Sequence, residues 1–443
     1  MKKVIYKLRA GIEKTTLVKT TARQLFLVII LANVAVSCSS ELDLYPNNGI
    51  APGDVQESDL AALRLGMYNQ VQNDPQREAY IMHDILGGLL QSGTGTPLTL
   101  ITNTLSPLNS NVADTWAGYY SALYQVNNVL QISQNLPVSD LAIRTQGEAH
   151  FFRAYIYSRL VINWGGVPVL RENTMDKVSR NTEEEVWAFI EEELDLAESM
   201  LDNTNANYYY ISKNAVIALR ARVMLHQGKM QEAASSAEYI ITQTGHQLDD
   251  FEKIFRSLQN TEIIFAFENR PEESSITIST LFYSYAHPNK GSWVYRPSGE
   301  LMSLYSSDDL RKNISITSID GNDMVNKYPS GQTGTDPFIV FRLAEMYLIS
   351  AEAQGINGGL TRLNELRNER GLDNVSPGGE QAFIDAILLE RKKEFLGEGF
   401  LFYDLVRTGK AIEELGIQGY QQLLPIPGEE LLLNPNLTPN PGY

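Results

Sequence analysis

The sequence predicts a mainly α protein made of about four helix hairpins, interrupted by two long insertions. Three observations carry this. Apolar residues recur at helical spacing, as in Leu60, Leu63, Met67 and Val71, and again in Trp116, Tyr120, Leu123 and Leu130. Glycine and proline close these stretches, with Gly165-Gly166 permitting a left-handed stop and Pro168 preventing resumption. Residues 74–112 and 244–336 lose the helical period and gain Gly, Pro, Ser, Thr and Asn. Breaks of that length exceed an ordinary connector and are often functional.

The elements follow in order. Residues 58–73 read as a helix with Ser58 or Asp59 near its N-cap. Helical pattern returns at Asp114, ends at Leu136-Pro137, and resumes from Asp140 to about Asn163, which makes the first hairpin. Thr182 with Glu185 forms a capping box for the next helix, whose stripe is Val186, Ile190, Leu194, Ala197 and Leu201. Residues 212–227 and 228–243 form another pair, turning at Gly228, and alanines at 215, 218, 221, 233, 234 and 237 allow close approach. Their wording resembles tetratricopeptide repeats, which stack helix pairs. The last pair is expected at 338–354 and 360–370, followed by a charged helical stretch over 388–410. Within the second insertion, 262–268 reads as a strand. The proline-rich tail from Leu424 to Tyr443 is expected as an extended wrap without helix or sheet.

With 443 residues, 43% hydrophobic and 9% aromatic, the chain is globular. It opens on an export signal. Seven Lys or Arg precede Gln24, and the twelve residues Leu25 to Val36 are apolar except Asn33. As a helix that run spans only about 18 Å, short of the roughly 30 Å of a bilayer core, so cleavage at residue 37 is expected rather than a membrane span. Ala35-Val36-Ser37-Cys38 resembles a lipobox, which assigns acylation to Cys38, the only cysteine. Several acyl chains at about 0.8 kcal/mol per buried CH₂ hold a protein on a membrane nearly permanently. Ser39-Ser40-Glu41-Leu42-Asp43 resembles the acidic export signal of Bacteroidetes surface lipoproteins. Residues 38–57 then serve as lipidated N-terminus and tether, and 58–443 as the body. Removing residues 1–37 takes away seven positive charges and one negative, so the formal charge of −17 becomes about −23. Such an acidic body argues against nucleic acid and leaves the lipid as the membrane attachment.

Five stretches in order resemble the SusD/RagB family of Bacteroidetes outer-membrane nutrient-binding lipoproteins. They are GEAHFFRAYIYSRLVINWGGVPVL (Gly147 to Leu170), FRLAEMYLISAEA (Phe341 to Ala353), LNELRNERGL (Leu363 to Leu372), ERKKEFLGEGFLFYDLVRTG (Glu390 to Gly409) and the tail from Leu424. The resemblance implies a superhelix of about four tetratricopeptide-like helix pairs, with the insertions forming a loop-rich ligand-binding lobe. It implies a surface protein that passes oligosaccharides, or in some members peptides, to a SusC-like TonB-dependent outer-membrane transporter.

The residues themselves offer no catalytic motif. The five histidines (His83, His150, His226, His246 and His287) have no metal-ligand spacing, and no nucleophile elbow, phosphate loop or dinucleotide fingerprint occurs, so no metal, cofactor or enzyme activity is expected. Asp308-Asp309 and Glu183 to Glu185 read as solvated helix starts. Arg342, Glu345, Glu352, Arg367, Arg370, Glu390, Arg391, Glu394, Glu398, Asp404 and Arg407 read as ion pairs fixing the last helices. Trp116, Trp164, Trp187 and Tyr208-Tyr209-Tyr210 read as packing. A sugar needs flat aromatics for its C–H faces and polar groups for its hydroxyl rim. Tyr283, Tyr285, Trp293 and Tyr295, with His287 and Asn289 between them, suit this in the second insertion, and Asp84 with Tyr80 and His83 in the first. Peptide capture by the same aromatics, or a helical scaffold without a small ligand, are the alternatives.

Overall fold

The computed structural model describes residues 55–443 apart from 96–97, 206, 257–258, 271 and 273–276. The export signal, Cys38 and the tether as far as residue 54 lie outside the described residues.

The helical body begins with α1 (Glu57–Asn73), where Gln56 and Asp59 form a reciprocal cap, and α2 (Gln76–Leu86). Then come α3 (Ser110–Asn135), α4 (Asp140–Trp164), α5 (Glu183–Met200), α6 (Lys213–His226) and α7 (Met230–Gln243). Side-chain caps set their starts: Asn109 accepts from Val112 N–H, Ser139 from Ala142 N–H, Thr182 from Glu185 N–H and Ser212 from Ala215 N–H. The body resumes with α8 (Leu343–Glu369), which breaks into two helices at Gly355 (φ +65°) as the expected pair requires, α9 (Glu380–Glu394) and α10 (Leu401–Arg407). From α3 to α9 each helix packs on the next, which is the stacking of a tetratricopeptide-like superhelix. Gly166 has to be glycine, because a Cβ there would lie 2.2 Å from the Asn181 carbonyl oxygen.

Four expectations are corrected. The first insertion opens on a helix, α2, whose residues Ala79 to Leu86 are all buried. Its apolar stripe, Ile81, Met82, Ile85 and Leu86, is confined to two turns and is interrupted by the polar His83 and Asp84, which are buried as well. Residues 338–342 are a strand, not the start of a helix. Phe338–Arg342 pairs antiparallel with Ile263–Phe267, and both strands are buried on both faces. A short apolar run of that kind cannot be told from buried helix by period alone. Residues 388–410 are not one helix, since the chain turns between α9 and α10 through Gly397 (φ +78°) and Gly399 (φ +75°). The tail contains a short helix, Gly428–Leu433. On either side of it the tail wraps the body as expected: Leu424 N–H donates to the Asn163 carbonyl at 2.7 Å, and Trp164 Nε1–H to that of Pro425 at 3.0 Å.

The expected ion pairs form, deeper than surface pairs and with members that helical spacing did not include. Arg342 reaches Glu262, Glu394 and Glu398 at 3.0, 2.6 and 2.9 Å. Arg370 joins Glu262 and Glu394, Lys327 joins Glu398, and Arg311 joins Asp309, Glu390 and Glu394. All of these side chains are almost without solvent access. Asp309 is therefore no solvated helix start; it holds the buried Arg311 guanidinium at 2.8 Å. Burial alone would raise the Glu394 carboxyl, and Arg370, Arg342 and Arg311 outweigh it and hold it well below the usual range.

Candidate functional site

The two insertions meet in a two-stranded antiparallel ribbon, β1 (Leu90–Ser92) against β2 (Tyr295–Pro297), in which Gln91 faces Arg296 and Ser92 faces Tyr295. The pairing runs on past the strands. Gly93 N–H donates to the Val294 carbonyl at 2.9 Å and Thr94 N–H to that of Trp293 at 2.7 Å, while Thr94 Oγ1 donates to Ser292 at 2.8 Å. Gly93 is required for this approach, since a Cβ would sit 2.0 Å from the Trp293 carbonyl oxygen.

Trp293 stands at the end of the ribbon with φ +47°, a left-handed conformation that costs a bulky side chain about 1–3 kcal/mol. Several contacts impose it: its N–H donates to the Tyr283 carbonyl at 3.0 Å, and its indole Nε1–H to Asp323 on the hairpin Ile316–Ile319/Asn322–Val325. Trp293 is half-buried. Tyr285 is 75% exposed, with the Lys290 ammonium 5.4 Å from its ring centre. Lys290 also has positive φ, at +40°. Two left-handed side-chain-bearing residues within four positions indicate a loop held in shape by its surroundings, as ligand-contacting loops commonly are.

The remaining predicted residues lie inside. Tyr283 is buried, donates its hydroxyl to Asn326 Oδ1 at 2.9 Å and stacks on His287 at 4.2 Å, and burial pushes its phenol up to about 12. Tyr295 is buried on the inner face of the ribbon, where burial raises its phenol too. Asp84 is wholly buried. Its carboxylate accepts from the backbone N–H groups of Gly397 (2.7 Å), Gly399 (3.1 Å), Phe400 (3.1 Å) and Leu401 (3.4 Å), so it shapes the turn into α10. Burial pushes this carboxyl up to about 6 despite those four bonds. Tyr80 donates to the Gln72 carbonyl at 2.6 Å, and His83 Nε2 lies 2.8 Å from Asn163 Oδ1. The first insertion's polar candidates are thus interior. What it brings to the surface is Gln91, Ser92 and Thr94, beside Arg296, whose Nε–H donates to the Ser92 carbonyl at 3.0 Å.

The chemistry available at this face is one of contact: two accessible aromatic rings, a hydroxyl, an amide and two cations. Among the described residues no group of three or more His, Cys, Asp or Glu is arranged to hold a metal ion, and no helix is long and apolar enough to cross a membrane.

Comparison with known proteins places this geometry. The profile of a family described as "Starch-binding associating with outer membrane" matches residues 42–225, and that of the SusD family matches residues 310–422, together more than half of the chain. The chain belongs to the SusD/RagB family. A SusD-like protein of Formosa agariphila is 24% identical over 497 aligned positions, covering 94% of this chain and 98% of that one. A crystal structure of a SusD superfamily protein from Bacteroides vulgatus superposes with a TM-score of 0.79 at 20% identity, covering 88% and 99% of the two chains. The structure of a laminarin-binding SusD-like protein superposes with a TM-score of 0.77 at 22% identity, covering 88% and 100%. At these identities the structural matches establish the SusD fold, a tetratricopeptide-like helical body.

Of the sequence candidates, Tyr285 and Trp293 lie accessible at this edge of the SusD fold, and Lys290 and Thr94, which sequence reasoning did not name, lie beside them. One signal could have pointed to Thr94: Gly93 and Gly95 flank it in an insertion already set apart by its length.

Proposed function

We propose that this protein captures neutral oligosaccharides at the ribbon where its insertions meet, and delivers them to a SusC-like TonB-dependent transporter. The observation that carries the reading is the convergence of the two insertions on one rigid edge bearing Tyr285 and Trp293. Membership of a family described as starch-binding, and the fold shared with a laminarin-binding protein, support a carbohydrate ligand. Aromatic faces cover pyranose C–H surfaces, while Thr94, Gln91 and Arg296 supply hydroxyl partners around them. The protein acts without catalysis, holding the glycan and releasing it unchanged. Acylation at Cys38 keeps it on the outer face of the outer membrane, where the transporter receives the ligand.

Isothermal titration of the purified full chain with maltohexaose and laminarihexaose, beside a tryptic digest of casein, tests this. Saturable binding of a hexasaccharide is expected, weakened at least tenfold by Trp293→Ala and severalfold by Tyr285→Ala. Chromatography of the recovered sugar should show it uncleaved. Binding of the peptides alone would overturn the carbohydrate reading.

A further inference from the structure

The Tyr208-Tyr209-Tyr210 segment reads in the sequence as packing, and its three rings do pack against the core, while two of them also line a cleft on the helical body. The cleft lies between the C-terminal half of α1, this segment, and the chain leaving the strand Ile263–Phe267. Its volume is about 60 Å³, well below the roughly 300–1,000 Å³ usual for small-ligand clefts, so a ligand would lie against the surface rather than inside it. None of the ribbon residues lines it.

The wall is rigid. Ala266 N–H donates to the Tyr208 carbonyl at 3.0 Å, Tyr209 N–H to Asn207 Oδ1 at 2.9 Å, and Ile211 N–H to the buried Tyr68 hydroxyl at 3.0 Å. The Tyr210 ring meets Tyr68 edge-on at 5.9 Å and carries the Arg64 guanidinium 4.7 Å from its centre. The segment is therefore fixed in place before any ligand arrives, which lowers the ordering cost of binding. Leu65 stands at the mouth, 49% exposed.

The charges on the wall cancel. Arg270 pairs with Glu268 at 2.7 Å, and Arg64 is held by both oxygens of Glu148. A phosphate, a uronic acid or a peptide terminus would have to compete with an existing partner for its counter-charge. A neutral ring with apolar faces fits instead: the aromatic and leucine surfaces take its C–H faces and Asn69 lies beside them, while the buried Gln72 gives its amide to the Glu268 carbonyl and Asn269 Oδ1 and so fixes the wall.

We propose that the cleft bounded by Leu65, Asn69, Gln72, Tyr209 and Tyr210 is a second, weaker binding site for a pyranose unit of a neutral oligosaccharide. It rests on the carbohydrate reading above and adds a contact remote from the ribbon. Two separated sites on one chain raise retention of a long glycan through effective concentration, without either site being tight.

The test uses the full chain in detergent with maltohexaose and laminarihexaose as probes. In the Trp293→Ala background, residual binding is expected with Kd raised tenfold or more, and addition of Tyr209→Ala removes it. Leu65→Asp, at an exposed position that does not endanger folding, should remove it as well. A Tyr209→Trp reporter in the same background should change its fluorescence saturably with the sugar. One site per chain, abolished by Trp293→Ala and untouched by Tyr209→Ala and Leu65→Asp, overturns the second site and leaves the ribbon reading standing. No saturable binding of either sugar by the wild type overturns both.

Discussion

Asp84 shows how one side chain can tie the first insertion to the C-terminal helices. Four backbone N–H groups of residues 397–401 converge on its carboxylate, and the turn they belong to needs two glycines in left-handed conformations. Leaving a buried donor unmet costs about 1–3 kcal/mol, so Asp84→Ala, which orphans several, is expected to lower unfolding free energy by at least about 3 kcal/mol in urea titration. Asp84→Asn should cost less, because its carbonyl keeps some of these bonds. A spacing argument could rate Asp84 polar and near a loop; it could not reveal that its partners lie more than three hundred residues away. Cys38 carries a prediction of a different kind. Cys38→Ala should release the protein from the outer membrane and abolish uptake while the soluble protein binds its glycan as before, measured by membrane fractionation and titration. Loss of binding by a folded, soluble Cys38→Ala chain would contradict a purely anchoring role.

At the scale of elements, the ribbon depends on Gly93 and on the hairpin under Trp293. Gly93→Val drives a side chain into the Trp293 carbonyl, so it should weaken glycan binding at least tenfold while shifting the thermal midpoint by only a few degrees, since the ribbon lies at the periphery. The helices with a clear stripe and a side-chain cap, such as α5 behind Thr182 and α6 behind Ser212, were legible to within a residue or two. Elements buried on all sides were not. In Ala79 to Leu86 the stripe lasts only two turns and buried His83 and Asp84 interrupt it, and Phe338 to Phe341 reads equally well as helix or strand until its partner Ile263–Phe267 is placed beside it. The site was legible in part for the same reason. Tyr285 and Tyr283 are chemically alike two positions apart, and only the fold decides that one faces solvent and the other Asn326.

Across the whole molecule, the buried charges couple the lobe to the helical repeats. Arg311 and Lys327 from the second insertion, and Glu262 at its strand, meet Arg342 at the end of the paired strand, Arg370 at the end of α8, Glu394 at the end of α9 and Glu398 in the turn after it, so the lobe is tied to the body through the interior. Removing one member leaves uncompensated charge; Arg342→Leu is expected to cost roughly 3–5 kcal/mol by chemical denaturation. Glu394, Glu398 and Asp404 are each pushed up by burial and pulled further down by their arginine and lysine neighbours, to net values below the ordinary 4.5, 4.5 and 3.8. Because their folded values are depressed, the unfolded chain binds protons first as pH falls. The stability they confer is complete above about pH 5 and is lost progressively as the pH drops below about 4 and on through the folded values. Asp84 and Asp336, both pushed up to about 6 by burial, act in the opposite sense and add stability as they take up protons on the way down to about pH 4. Urea midpoints measured from pH 7 to pH 3 should therefore rise towards about pH 4 and then turn down, and the absence of a downturn by pH 3 would contradict the network's role. The same rigidity makes the ribbon a prepared surface instead of a loop that orders on binding. The most direct test is hydrogen exchange of the full chain with and without the hexasaccharide it binds. Added protection is expected at residues 90–94 and 285–296, on a loop already protected in the free protein. Saturable binding with no change in either segment would contradict the site.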